Sequence, residues 1–465
     1  MAETKIKTNQ IFLITLALTL IPLVHGRYEP TWESIDSRPL PTWYDEAKFG
    51  IFIHWGVFSV PSFANEWFWK NWIGFQQQKY IDFMKKNYKP GFKYQDFAPQ
   101  FQAEMFDPYE WAKLFEDAGA KYVVLTTKHH EGFCNWPTKY SWMWNAGDVG
   151  PNRDLVGDLA KAIRNSTDLR FGTYFSHFEW YNPLYNDDLL HLFFTKAYPS
   201  QVSLPQLREL VMNYEPDIVW TDGDSGPYWY WKSTEFLAWL YNDSPVKDKV
   251  VVNDRWGGTE CHHGGYYTCQ DHYVPGHLVK HKWENCMTID KYSWGYRRDA
   301  QLEDFENSTS LIHQLVETVS CGGNLLLNIG PTHDGRIMPI FQDRLSDMGK
   351  WLKINGQAIY KSKPWRAQQD NMTKNTWYTS QVDEKSTTVY AILLDYPSQT
   401  AQNQLIVNLG EPITSPATNV TLVGYPKLLK WSPIGDSGIS IIWPDLNFNQ
   451  VPCKHAWVLR LDGVK

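Results

Sequence analysis

The chain is 465 residues long, enough for one large domain and a smaller one, and its 43% hydrophobic and 20% charged content is that of a soluble globular protein. A net charge of −7 excludes the clustered basic surface that nucleic-acid binding requires. The aromatic load is high, with 24 Trp, 26 Tyr and 23 Phe. Core packing takes part of it, and rings of this kind also stack on the apolar C–H faces of sugars.

At the N-terminus, Lys5 and Lys7 precede an apolar run from Ile11 to Leu23, and Val24-His25-Gly26 ends in a small residue where a signal peptidase cuts. Residues 1–26 are therefore expected to be a signal peptide, with the mature chain starting near Arg27. The run is short for a membrane span, and no later stretch reaches the length of one. Five Asn-X-Ser/Thr sequons, at Asn165, Asn242, Asn307, Asn371 and Asn419, agree with a secretory route to the lysosome or the exterior. Of six cysteines none has metal-finger spacing; Cys261 and Cys269 form the best disulfide candidate, while Cys134 and Cys321 read equally well as free buried thiols.

From Ala47 to about Gly330, short apolar runs alternate with helical stretches. The runs are Phe49–His54, Lys121–Thr127, Arg170–Tyr174, Asp217–Trp220, Val250–Asn253 and Asn324–Ile329, with helices expected over Trp111–Ala118 and Leu311–Val319. Continuous apolar strands separated by helices indicate a parallel sheet covered on both faces. Over this length the closed α/β form is a (β/α)₈-like TIM barrel, expected to fill residues 27–363. From Pro364 onward helix signals stop, and short β-rich runs such as Thr388–Leu394, Gln404–Asn408, Val420–Val423, Ile439–Ile442 and Ala456–Leu461 follow. Residues 364–465 are accordingly expected to form a C-terminal antiparallel β-sandwich domain.

In a parallel barrel, functional groups gather where strands end. Here the strand ends deliver His54, then Lys128-His129-His130-Glu131, then Tyr174 with Ser176-His177, then Asp222, then Asn253-Asp254-Arg255. Metal ligation by His129 and His130 is set aside, because adjacent residues point apart and no third ligand has fitting spacing. Glu66 beside Trp67 suits a sugar, the carboxylate gripping a hydroxyl while the indole stacks on the ring, although a solvated loop has the same composition. Asp222 before Gly223 could simply mark a turn. Retaining glycoside hydrolysis, however, needs an ionised carboxylate and a second carboxyl roughly 5 Å away that donates and reclaims a proton. Asp222 fits the first role; for the second, Asp271 and Glu284 both qualify, each expected on a later loop.

The runs Phe52-Ile53-His54-Trp55-Gly56, Lys128-His129-His130-Glu131-Gly132-Phe133, Trp220-Thr221-Asp222-Gly223, Val252-Asn253-Asp254-Arg255-Trp256-Gly257, Ser293-Trp294-Gly295-Tyr296 and Leu326-Leu327-Asn328-Ile329-Gly330-Pro331 together resemble the retaining α-L-fucosidases of glycoside hydrolase family 29, closest to the animal tissue (lysosomal) type. The likeness covers essentially the whole mature chain. It implies a barrel with a C-terminal sandwich, release of terminal α-L-fucose from a fucosylated glycan, no cofactor, and assembly into homo-oligomers, often tetramers. It also implies Asp222 as nucleophile, with His54, Glu66, Trp67, His129, His130, Tyr174 and Arg255 holding fucose and Trp220 walling the pocket. The acid/base position shifts within the family and matches Glu284 or Asp271, with a slight preference for Glu284. Two rivals share these residues: a catalytically silent fucose-binding lectin, and a transfucosylase that passes the sugar to an acceptor.

Overall fold

The computed structural model describes residues 26–465, apart from 224, 259, 384–385 and 403. Except for Gly26, the expected signal peptide lies outside the described residues. No helix among them is long and apolar enough to cross a membrane.

Seven parallel strands form the first sheet: β1 (Phe49–Ile53), β2 (Tyr122–Lys128), β3 (Arg170–Ser176), β4 (Ile218–Asp222), β5 (Val251–Val252), β6 (Trp283–Thr288) and β7 (Gly323–Ile329). Their order is β5-β4-β3-β2-β1-β7-β6. β1, β2 and β7 are buried at every residue, as strands with both faces covered must be. Among the described residues the sheet has no eighth strand. Between β5 and β6 the curve is spanned by isolated parallel bridges, Asn253 to Tyr266 and Tyr267 to Trp283. Two features keep this link short. Gly265 lies so close to β5 that a Cβ there would stand 1.8 Å from the Val252 carbonyl oxygen, and the Cys261–Cys269 disulfide closes the loop around it. Cys134 and Cys321 are free buried thiols, as is Cys286.

The covering helices follow local capping rules. The one expected over Trp111–Ala118 spans Pro108–Asp117, because Asp107 accepts hydrogen bonds from the Tyr109 and Glu110 amides and Pro108 takes the first turn. It buries Trp111, Ala112 and Phe115 against the sheet. The helix expected over Leu311–Val319 spans Ser308–Ser320, with Asn307 as its cap.

Beyond the barrel come β8 (Lys363–Gln369), β9 (Thr376–Val382), β10 (Thr387–Leu393), β11 (Thr400–Ala401), β12 (Gln404–Leu409), β13 (Asn419–Leu422), β14 (Trp431–Pro433), β15 (Ile439–Ile442) and β16 (Trp457–Asp462). They form antiparallel sheets ordered β13-β16-β10-β9-β8 and β11-β12-β15-β14. The period of two along β10 shows how they are held. Val389, Ala391 and Leu393 pack with Val407, Leu409, Ile439 and Ile441 of the facing sheet, whereas Tyr390 and Ile392 join the hydrophobic layer around the barrel. The Trp351 indole, on the helix Pro339–Asn355, donates to the Ala456 carbonyl just before β16.

Candidate active site

Along each barrel strand, alternate residues face the interior. On β4 these are Ile218, Trp220 and Asp222; on β6 they include Glu284 and Cys286. The uppermost members open into a cavity of about 170 Å³ at the C-terminal ends of the strands. That is below the ~300–1,000 Å³ of pockets for drug-sized ligands, and of a scale for one sugar ring. Of the eleven residues singled out from the sequence, ten line it: His54, Glu66, Trp67, His129, His130, Tyr174, Trp220, Asp222, Arg255 and Asp271. Glu284 does not.

Asp222 ends β4 and accepts a hydrogen bond from the Tyr174 hydroxyl at 2.8 Å. Arg255 reaches two of the three carboxylates that line the cavity, Asp222 and Asp271. Its Nη1 stands 3.5 Å from Asp222 and its Nη2 donates to Asp271, while its Nε is anchored on the Thr268 carbonyl at 2.8 Å. The guanidinium lies over the Trp220 ring, 4.7 Å from its centre. Asp271 stands two residues beyond the disulfide-closed segment Cys261–Cys269, which Asp254 ties down by accepting from the His262 and Thr268 amides. Its side chain is 44% exposed, against 13% for Asp222.

His54 and His130 are buried and neutral. Burial, then the neighbouring His129, holds His54 well below the usual imidazole range, and burial does the same for His130. Asn328 donates through Nδ2 to Thr288 and to the Trp294 carbonyl, so its Oδ1 is the acceptor for His54 Nδ1 at 2.7 Å. This assigns the His54 proton to Nδ1 and leaves Nε2 as an acceptor. The Ser176 hydroxyl donates to the Phe178 carbonyl and therefore accepts from His130 Nδ1, again freeing Nε2, which stands 3.4 Å from Asp222. His129 Nδ1 faces Glu131 at 3.3 Å. Glu66 uses a single oxygen, Oε2, to accept from Ser293, Trp294 and Gly295. Trp67 packs edge-on against His130 and Trp180.

Glu284 corrects an expectation. It lies in strand β6 rather than on a loop, two residues before Cys286, and so about 6.6 Å deeper in the barrel. Its carboxyl is fully buried and accepts from the Tyr44 hydroxyl at 2.6 Å, the Tyr122 hydroxyl at 2.8 Å and the Trp220 indole at 2.9 Å. Burial raises its pKa above the usual carboxylate range, against the pull of those three donors. Gly50 makes room for this layer, since the Tyr122 ring occupies the space a Cβ there would fill.

Four lining residues had been given no role from sequence: Phe52, Phe178, Cys286 and Trp294. Phe52 and Trp294 stood within the quoted runs; Cys286 was legible only through its two-residue offset from Glu284. Glu131, the partner of His129, also stood in such a run. His177, by contrast, leaves both ring nitrogens unpaired and stacks on Trp231 outside the cavity. Among the described residues, no group of three or more His, Cys, Asp or Glu is placed to hold a metal ion.

Residues 17–357 match the family described as Alpha-L-fucosidase, and residues 368–462 match its C-terminal domain. An alpha-L-fucosidase of Branchiostoma floridae is 60% identical over 455 residues, 97% of this chain and 99% of that one. The plasma alpha-L-fucosidase of Homo sapiens is 56% identical over 440 residues, 94% of this chain and 93% of that one. Among solved structures, a Thermotoga maritima alpha-fucosidase in complex with a mechanism-based inhibitor superposes with a TM-score of 0.79 at 34% identity, covering 94% of this chain and all of that one.

Proposed function

Since this chain belongs to the α-L-fucosidases of glycoside hydrolase family 29 and is a glycoside hydrolase that frees fucose, we propose that it removes terminal α-L-fucose from glycoproteins, glycolipids and oligosaccharides with net retention, Asp222 acting as nucleophile and Asp271 as acid/base. The observation that carries this reading is that, of the three carboxylates lining the cavity, Asp222 and Asp271 both stand against Arg255, whereas Glu66 is held by Ser293, Trp294 and Gly295 and Glu284 lies outside the cavity. A single guanidinium spanning both carboxylates supports the short separation, roughly 5 Å, of a retaining pair.

Fucose enters with its hydroxyls toward His54, Glu66, His129 and His130. The acceptor nitrogens on His54 and His130 accept hydrogen bonds from its hydroxyls, and the aromatic walls of Trp67 and Trp220 meet the apolar face and methyl group. An Asp222 oxygen attacks the anomeric carbon as the bond to the leaving oxygen breaks, and that oxygen takes the proton of Asp271. Asp271, now a carboxylate, removes a proton from water whose oxygen attacks the same carbon. The second displacement frees Asp222 and returns the original anomeric configuration.

The secretory route belongs to the same proposal, with a lysosomal or secreted destination. It is supported by the plasma relative, by the disulfide, and by the exposure of Asn165, Asn307, Asn371 and Asn419. The fifth sequon is closed, because both ends of the Asn242 amide bond the Tyr28 backbone. Assembly as a homo-oligomer, up to a tetramer, is proposed on the family likeness.

The test is an NMR assay of an aryl α-L-fucoside with and without acceptor sugars. Appearance of the α-anomer of fucose first, with water as the main acceptor, is the expected result. The β-anomer first would overturn retention, fucosylated acceptor as main product would favour the transferase, and no turnover the lectin.

A further inference from the structure

We propose that Glu284 is a positioning residue, one that fixes the indole plane of Trp220 beneath Asp222 and Asp271 and transfers no proton to substrate. The inference deepens the reading of the cavity as the fucose site and rests on it.

Three observations carry it. First, the Glu284 carboxyl has no face on the cavity; Trp220 stands between them. Second, an indole has one polar atom, and it only donates. Turning the Trp220 ring over would remove Nε1 from Glu284 and leave both atoms buried without a partner, so Glu284 selects one of the two ring orientations. Glu284 is itself clamped, because Tyr44 and Tyr122 both donate to its other oxygen. Third, Trp220 supports the groups that hold the carboxylates. Its ring stacks on Tyr174, with centres 5.5 Å apart and 24° between planes, and Tyr174 donates to Asp222. The ring also lies under Arg255, which reaches Asp222 and Asp271 together. A carboxylate one layer down thus sets the floor on which the top layer is registered.

A double-mutant cycle of Glu284→Gln and Trp220→Phe decides it. Phe keeps a ring but loses the indole N–H. Alone, Glu284→Gln should raise KM and the inhibition constant of free fucose about tenfold, the scale of one hydrogen bond to a charged group. That loss should be the same for nitrophenyl and alkyl fucosides, leave the pH limbs of kcat in place, and yield no fucosyl azide when azide is added. In the Trp220→Phe background the same change should cost less than about twofold, since interacting sites are non-additive. Full multiplication of the two effects would overturn the inference, and so would a kcat loss confined to poor leaving groups and relieved by azide. If Glu284→Gln does not fold, Tyr122→Phe, which strips one clamp, replaces it in the cycle under the same criteria. Asp271→Ala assayed alongside separates the two readings: failure of leaving-group dependence there would remove Asp271 as acid/base and leave the Glu284–Trp220 coupling to stand or fall alone.

Discussion

Asp222 and Glu284 are both carboxyls on the inward face of one barrel, yet they live in different worlds. Asp222 ends its strand, keeps 13% of its side chain exposed, and meets an arginine and a hydroxyl at the mouth of a cavity. Glu284 is the second residue of its strand, has no exposure and meets only fixed donors. Along β6, one pleat step of two residues separates Glu284 from Cys286, which lines the cavity. Depth in the barrel, rather than residue type or aromatic neighbours, separates a carboxyl that can meet substrate from one that shapes the wall.

The comparison breaks most directly at Asp222. Asp222→Ala should lower kcat on an aryl fucoside by roughly three orders of magnitude or more, the scale on which removing a covalent nucleophile acts, with the melting temperature little changed. Activity near wild type would end the assignment. Next in size is Asp271→Ala. It should cost about 10²–10⁴-fold on substrates with poor leaving groups and far less on nitrophenyl fucosides, with azide restoring the rate. Uniform loss across leaving groups would return the acid/base role to open competition. The roughly tenfold effects expected for Glu284→Gln then sharpen the contrast between layers.

A smaller, pH-dependent effect tests burial itself. His177 is buried beside Trp231, and burial lowers its pKa to about 3. Unfolded, a histidine titrates near 6.5, so between those values the unfolded chain binds the extra proton and stability falls as pH falls. His54 and His130 are shifted the same way and add to the loss. Thermal melts should therefore drop steadily below about pH 6.5, and His177→Phe should flatten part of that slope, a matter of a few kcal/mol at most. An unchanged slope would place the acid sensitivity in other groups. Glu284 runs oppositely. Its raised pKa keeps the proton in the fold after the unfolded carboxyl has lost its own, so stability falls as pH rises through that window.

Much of this molecule was legible from residues alone. Apolar runs bounded by turn residues marked six of the seven barrel strands, and polar residues emerging at their C-terminal ends marked six of the lining side chains, His54, His129, His130, Tyr174, Asp222 and Arg255. Burial on both faces forces a strand to be apolar throughout, so a polar residue where the run stops stands out. The same rule hid β6, because Trp283-Glu284-Asn285-Cys286 carries polar residues inside the strand and reads as a loop. That the sheet has no eighth strand among the described residues escaped for a related reason. Residues around Gly264 and Gly265 approach β5 closely enough to bridge without the length or pattern of a strand.

The sequence by itself determined the two-part α/β and β architecture, the family, and Asp222 with most of the cavity wall, because strand periodicity and strand ends are local properties of the chain. Only the tertiary structure decided between Asp271 and Glu284 as the residue that faces the cavity. Both stand near aromatics and a cysteine in sequence, but which one looks into the cavity depends on strand register, on the disulfide-closed segment, and on Arg255 reaching across from β5. Those are distances between parts of the chain far apart in sequence, and no local pattern encodes them.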